Sequence, residues 1–188
     1  SRRQRQMCIR DSATSASVII FGLQAFILVV VCTASAVLAE WGFQALCKQK
    51  ITISDLSAAV TGLLLALNLP ASVTWWQAII GSVIAVVVVK GLFGGIGKNF
   101  ANPAITARII LLLAFSASVG AAVQPVIVDA TSTATPLTIL KLDYGILPSL
   151  FEMMIGLRGG AIGETCSLAL ILGLSLIHIS EPTRPEPI

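Results

Sequence analysis

The chain has 188 residues, of which 56% are hydrophobic and only 11% charged, too few polar side chains to cover a soluble globule. Its formal net charge is +3, but residues 13–173 hold seven Lys and Arg against six Asp and Glu, so no polybasic surface for nucleic acid remains. Apolar runs of bilayer length instead predict an all-α, polytopic integral membrane bundle.

Both ends are expected to be foreign to the protein. Residues 1–12 read as one frame of the forward transposase adapter of short-read library preparation, and residues 174–188 as the opposite adapter in another frame. His178, the single histidine, and the N-terminal Arg2, Arg3, Arg5 and Arg10 are therefore set aside. Of the four cysteines, Cys8 falls in the first adapter, Cys32 lies in an apolar run, and Cys47 and Cys166 stand near segment ends. Without a C-x-x-C spacing they make neither a disulfide framework nor a metal site, and they read as small buried residues.

Residues 13–122 carry the transmembrane helices of a first bundle. Ser17 to Ala39 is uncharged over 23 residues, enough to cross ~30 Å of hydrocarbon at ~1.5 Å per residue, with Glu40, Trp41, Lys48 and Lys50 following at an interface. Ser54 and Asp55 open a second helix, Leu56 to Leu69, closed by Pro70. It is short for a crossing: either a discontinuous helix of the kind that lines ion pathways, or a tilted one. Trp75 and Trp76 form an interfacial belt, Gln77 to Val89 is apolar, and Lys90 snorkels towards the headgroups.

Gly91 to Ala104 is glycine-rich but lacks the G-x-x-x-x-G-K-[ST] spacing of a phosphate loop, so its glycines are read as close helix packing. Asn102 caps and Pro103 begins the next helix, Ile105 to Ala122, with Arg108 near its start. Residues 123–147 form a polar loop, and residues 148–173 begin a further transmembrane segment, with a short amphipathic stretch Pro148 to Met154 containing Glu152. Glu164 precedes the apolar run Cys166–Gly173, at a helix start near the membrane.

Within the polar loop, Asp129-Ala130-Thr131-Ser132-Thr133-Ala134-Thr135-Pro136-Leu137 is too polar for hydrocarbon. Pro136 biases Thr135 towards an extended backbone, which leaves its hydroxyl clear of its own chain. Ion transfer through the bundle would need polar or charged groups at membrane depth, and Asp55, Asn102, Arg108 and Glu164 are the candidates. Orientation follows from the positive-inside rule: with Lys48, Lys50, Lys90 and Lys98 cytoplasmic, four segments alternate and Thr135 falls on the extracytoplasmic side, with Arg158 a single contrary charge.

The pattern Asp-x-x-Ser/Thr-x-Ala-Thr resembles the acceptor motif on which a flavin transferase esterifies FMN through its phosphate, and the following Pro-Leu resembles the D subunit of the Rnf complex, in the NqrB/RnfD family. Three further stretches are similar to the same protein and stand in family order: Ser54 to Pro70, Gly94 to Ala104, and Gly159 to Ala169. The resemblance implies part of a two-repeat, transporter-like fold in a membrane-bound, ion-translocating ferredoxin:NAD oxidoreductase, in the plasma (inner) membrane of a prokaryote. It implies FMN tethered as a phosphoester to Thr135, with Asp129, Thr131, Ser132 and Ala134 as the attachment motif, and it leaves room for another, non-covalent flavin in the complex.

The implied partners are the other Rnf subunits, the flavin transferase and the bilayer. In such a complex, electrons from reduced ferredoxin would reach this flavin through partner subunits before NAD is reduced elsewhere. No strand-linked G-x-G-x-x-G and no cysteine cluster is present to bind NAD or an iron–sulfur cluster in this chain. The B subunit of the sodium-pumping NADH:quinone reductase is the alternative; its loop usually reads Ser-Gly-Ala-Thr without Pro-Leu, and Thr133 stands here in place of that glycine. A transporter or channel of similar fold with no redox chemistry would leave Thr135 unmodified.

Overall fold

A computed structural model describes residues 14–15, 17–48, 55–92, 101–120, 122–123, 132–133, 136–142, 149–156, 160–163 and 166–180. Helix α1, Leu23–Leu46, follows a helical turn that ends at Gly22, whose φ of 68° breaks the winding. At 24 residues it is the one described helix long and apolar enough to cross a membrane by length and composition. The expected end at Ala39 is corrected: Glu40, Trp41 and the good helix formers around them continue the winding to Leu46. It stops at Cys47 and Lys48, and Lys48 takes a left-handed φ of 50°.

Helix α2, Ser57–Asn68, has 12 residues and so is about 18 Å long, well short of a ~30 Å hydrocarbon layer. Leu69 turns extended ahead of Pro70, as a residue before proline is biased to do. Its terminal carbonyls are not left to lipid. The Ile162 N–H donates to the Leu69 carbonyl at 3.1 Å and the Gly163 N–H to the Leu67 carbonyl at 2.8 Å. The Ser17 hydroxyl in turn donates to the Ile162 carbonyl at 2.8 Å. An interrupted helix whose end is satisfied by protein backbone is the discontinuous arrangement, not the tilted one.

Helix α3, Trp75–Val83, continues without a break into a π-helical segment, Ile84–Gly91. Helix α4, Pro103–Ala114, is separated from the short α5, Ser116–Val119, at Phe115, so the single helix expected over Ile105 to Ala122 is two. Phe115 leaves the helical region (φ −132°, ψ 53°), and Ser118 behind it is engaged from the side. The Ser72 hydroxyl donates to the Ser118 carbonyl at 2.7 Å, and Gln77 Nε2 donates to Ser118 Oγ at 3.4 Å. Serines that find such partners outside the ladder favour helix ends over helix interiors.

Beyond α5 the strands β1, Ala122–Val123, and β2, Ser132–Thr133, pair antiparallel with Ala122 opposite Thr133, a two-residue ladder; the other elements among the described residues are helices. Three helices follow: α6, Pro136–Leu142; α7, Leu150–Ile155; and α8, Ser167–Ser180. The expected amphipathic stretch around Glu152 is α7, opened by a reciprocal cap in which the Ser149 N–H donates to Glu152 Oε2 at 2.8 Å and the Glu152 N–H to Ser149 Oγ at 3.3 Å.

Helices α1 to α4 run alternately up and down, and their packing is inverted relative to a soluble protein. The interior is built from small residues, among them Ala25, Cys32, Ala36, Ala66, Ala78, Ala85, Ala104 and Ala107, while Ile19, Leu23, Leu38, Leu113 and Leu140 are more than 60% exposed. Lipid would cover that exterior, and small residues let helix backbones approach where no hydrophobic effect drives them together. Gly62 on α2 makes one such approach: a Cβ there would lie 2.6 Å from the Cys32 carbonyl oxygen and 2.8 Å from Ala36 Cβ on α1. Gly62→Ala is therefore expected to cost about 1–3 kcal/mol through overpacking, read as a lowered thermal unfolding temperature in detergent.

Candidate functional site

Among the described residues the bundle holds one buried ion pair, and neither partner is assigned to the interior by sequence alone. Lys90 Nζ on the π segment donates to Glu40 Oε1 on α1 and to Ser57 Oγ, at 2.6 Å, in the first turn of α2. Both charged side chains are more than 90% buried. The expectation that Lys90 snorkels to the headgroups is thereby corrected, and with it the use of Lys90 as a cytoplasmic marker charge. The physical reason is mutual: an ammonium and a carboxylate in a low-dielectric interior are each costly alone, and each offsets the other's desolvation. A signal was present in the chain. Glu40 and Lys90 are single opposite charges at the same ends of the first and third apolar segments, which an alternating bundle brings side by side.

The remaining geometry is set by hydroxyls and small residues. Ser82, fully buried on α3, donates to the Ala78 carbonyl at 2.9 Å and to the Cys32 carbonyl on α1 at 3.2 Å. Gly91 packs against the Phe43 ring, its virtual Cβ only 2.8 Å from Cε1. Contact of Glu40 with Lys90 and of Phe43 with Gly91 places the C-terminal ends of α1 and the π segment together, as the alternating orientation requires. The segment Gly160–Gly163 docks at the other end of the bundle, where α2 finishes.

Among the residues expected on an ion route, Asp55 stands just ahead of α2, whose N-cap is Leu56 in a left-handed conformation, φ 52°. Asn102 is confirmed as a helix cap, its Oδ1 accepting from the Ala104 N–H at 3.1 Å with Pro103 in the first turn. Arg108 is half-buried in the second turn of α4. Lys90 bonds to Glu40 and Ser57, so the buried pair is a feature distinct from the residues expected on the route. Glu164 lies outside the described residues. Asn102→Ala is expected to cost about 1 kcal/mol by loss of the cap, with Asn102→Asp retaining most of it; thermal unfolding of the two variants side by side checks this.

Of the expected flavin-attachment residues, Asp129, Thr131, Ala134 and Thr135 lie outside the described residues, and of Ser132 the backbone is described. What is visible brackets them. Ser132 and Thr133 are held by the ladder to Ala122 and Val123, and Pro136 begins α6. Thr135 is thus the one hydroxyl residue between two anchored pieces of backbone. The chain reaches this ladder from Val119, at the end of α5 tied to Ser72 and Gln77 and away from the Glu40–Lys90 pair.

A family model described as the NQR2, RnfD, RnfE family matches residues 9–184. The chain is 45% identical over 163 residues to the D subunit of the Na(+)-translocating ferredoxin:NAD(+) oxidoreductase complex of Acetobacterium woodii, covering 85% of this chain and 51% of that protein. It is 36% identical over 170 residues to the D subunit of the proton-translocating ferredoxin:NAD(+) oxidoreductase complex of Clostridium ljungdahlii, covering 84% and 51%. The D subunit of the ion-translocating oxidoreductase complex of Rhodobacter capsulatus is 31% identical over 190 residues, covering 80% and 53%. The chain spans about half the length of these curated relatives. A match running along nearly all of the sequence, on a helical bundle with a lipid-compatible exterior, establishes that the chain belongs to the NQR2, RnfD, RnfE family.

Proposed function

We propose that this chain is part of the membrane subunit of an Rnf-type complex that couples electron transfer between ferredoxin and NAD to translocation of Na+ or H+, and that Thr135 carries FMN as a phosphoester. The observation that carries the assignment is the 45% identity, over most of the chain, to the D subunit of a ferredoxin:NAD(+) oxidoreductase complex. It is supported by a bundle with an interrupted helix and a buried ion pair, features found in helical ion pathways.

The residues fit the cofactor in chemistry. A phosphoester needs a hydroxyl, and Thr135 supplies one directly ahead of a proline, which biases the residue before it towards an extended backbone. The ladder and α6 fix the two sides of the attachment point, so a flavin held there would stay at the membrane surface. When bound, FMN supplies one- and two-electron redox chemistry; the protein's part is to tether it, set its surroundings and hold it near its partners. In this reading the Thr135 loop is extracytoplasmic, a flavin transferase is required for maturation, and the remaining Rnf subunits are the working partners.

The experiment is made on the full-length protein, produced with and without a flavin transferase. Denaturing gel fluorescence at its expected mass, with the FMN mass increment on the peptide containing Thr135, supports the reading. An unmodified peptide from a preparation whose transferase modifies a control protein overturns it and favours a transporter without redox chemistry.

A further inference from the structure

Lys90 reaches Glu40 from a backbone that is not an α-helix. Residues Ile84–Gly91 are wound as a π-helix, and the Leu92 N–H donates to the Val87 carbonyl, five residues earlier, at 3.1 Å. The buried positions along α3 and this segment include Ala78, Ser82, Ala85, Val86, Val89 and Lys90. An α-helix continued from Ser82 at 3.6 residues per turn would centre Val89 on that stripe and turn Lys90 about 80° away from it. The π winding widens the stripe by the one position needed to include the ammonium.

Wide turns of this kind are rare and concentrate at functional sites. The apolar run Ile84 to Val89 has no polar side chain to compete for the backbone; Lys90 is the residue whose environment changes with the winding. A second contact reads the same register. Gly91 is seated against Phe43, which follows Glu40 by one turn on α1, and no side chain larger than hydrogen fits there without moving that ring. One face of α1 therefore recognises two successive residues of the π segment, one by charge and one by shape.

We propose that Ile84–Gly91 is a two-state element, held in the π register by the contact of Lys90 with Glu40 and Ser57 and rewinding to α when that contact is lost. Rewinding turns Lys90 outward, where its four-carbon stem can carry the ammonium to the headgroups. It also rotates Leu92. Glu40 is then a positioning residue whose contact with Lys90 sets the register of the π segment and the orientation of Leu92. The inference stands independently of the flavin reading and adds a movable part to the membrane bundle.

The test uses the full-length protein assembled in its complex, with Cys47 and Cys166 replaced by Ala. Nitroxide labels are attached at the exposed sites Leu38→Cys on α1 and Leu92→Cys beyond the π segment, with Leu38→Cys and Ile80→Cys as the reference pair ahead of it. In Glu40→Gln/Lys90→Met both charges leave together, so no lone buried charge remains to prevent folding. An 80° turn carries a side-chain tip 5–6 Å from the helix axis through about 7 Å. The expected result is a displaced 38–92 distance distribution with the 38–80 distribution unchanged. An unchanged 38–92 distribution, or equal displacement of both pairs, overturns the proposal. The exchanged pair Glu40→Lys/Lys90→Glu preserves the contact and is expected to give the parental distributions; a displaced 38–92 distribution in that variant also overturns it.

Discussion

Thr135→Ala in the full-length protein is expected to abolish covalently bound flavin, with in-gel fluorescence falling to background while the complex still assembles. The expectation rests on chemistry that has no substitute at the position: the side chain loses the oxygen through which the ester would form, and no other hydroxyl lies between Thr133 and Pro136. Thr131→Ala or Ser132→Ala removes a hydroxyl from the motif while leaving the acceptor, so each is expected to reduce the fraction modified without eliminating it. Thr135→Ser keeps a hydroxyl and is expected to retain partial modification. Ferredoxin-dependent NAD reduction by the complex is expected to fall with flavin content across this series. Full activity in a flavin-free Thr135→Ala complex would show that the tether is dispensable and the role assigned to the loop mistaken.

The helices are readable from the chain wherever local chemistry sets them, and misread where tertiary contacts do. Asn102 before Pro103 announces a helix start by its own cap, and Pro70 announces an end, and both occur as expected. The reciprocal cap of Ser149 and Glu152 is equally local, since the two residues are three apart. Phe115 is different: the break there depends on Ser118 being engaged from Ser72 and Gln77, more than forty residues earlier in the chain. The docking of Ile162 and Gly163 on the carbonyls of Leu69 and Leu67 spans some ninety residues and cannot be seen in composition at all.

Lys90 shows the same limit at the site. Periodicity of 3.6 residues, applied to Gln77 through Val89, puts Lys90 off the buried face, and snorkelling follows from that reading. The π winding changes the period, and a change of period is invisible in a run of valines. Glu40 is misread for a related reason, because an uncharged run reads as ending where its first charge occurs. Where a buried partner such as Lys90 is available, the first charge can instead be the inward-facing residue, and α1 runs six residues past it.

Glu40→Ala is expected to lower stability by about 3–5 kcal/mol, the cost of leaving the Lys90 ammonium buried without its carboxylate. Ser57 does not replace that partner, since one hydroxyl acceptor at 2.6 Å offers a dipole where a full negative charge stood. Lys90→Met is expected to cost less than Glu40→Ala. The methionine fills the volume left by the lysine stem, whereas alanine at position 40 leaves a void beside the buried ammonium. Glu40→Gln/Lys90→Met is expected to recover most of the loss, because two charges removed together leave no desolvated ion behind. The measurement is a double-mutant cycle on thermal unfolding of the purified complex, with each variant's assembly verified by size exclusion. A coupling energy near zero, with Glu40→Ala unfolding at the parental temperature, would mean that water reaches both charges and that the pair lies in a hydrated cavity instead of a dry helix contact. A large positive coupling, on the order of 2–4 kcal/mol after the partial rescue, would identify the pair as the main polar bond joining α1, α2 and the π segment. The same variants then separate stability from transport: if ion movement fails in the doubly neutral protein while its unfolding temperature holds, the charges serve passage as well as packing.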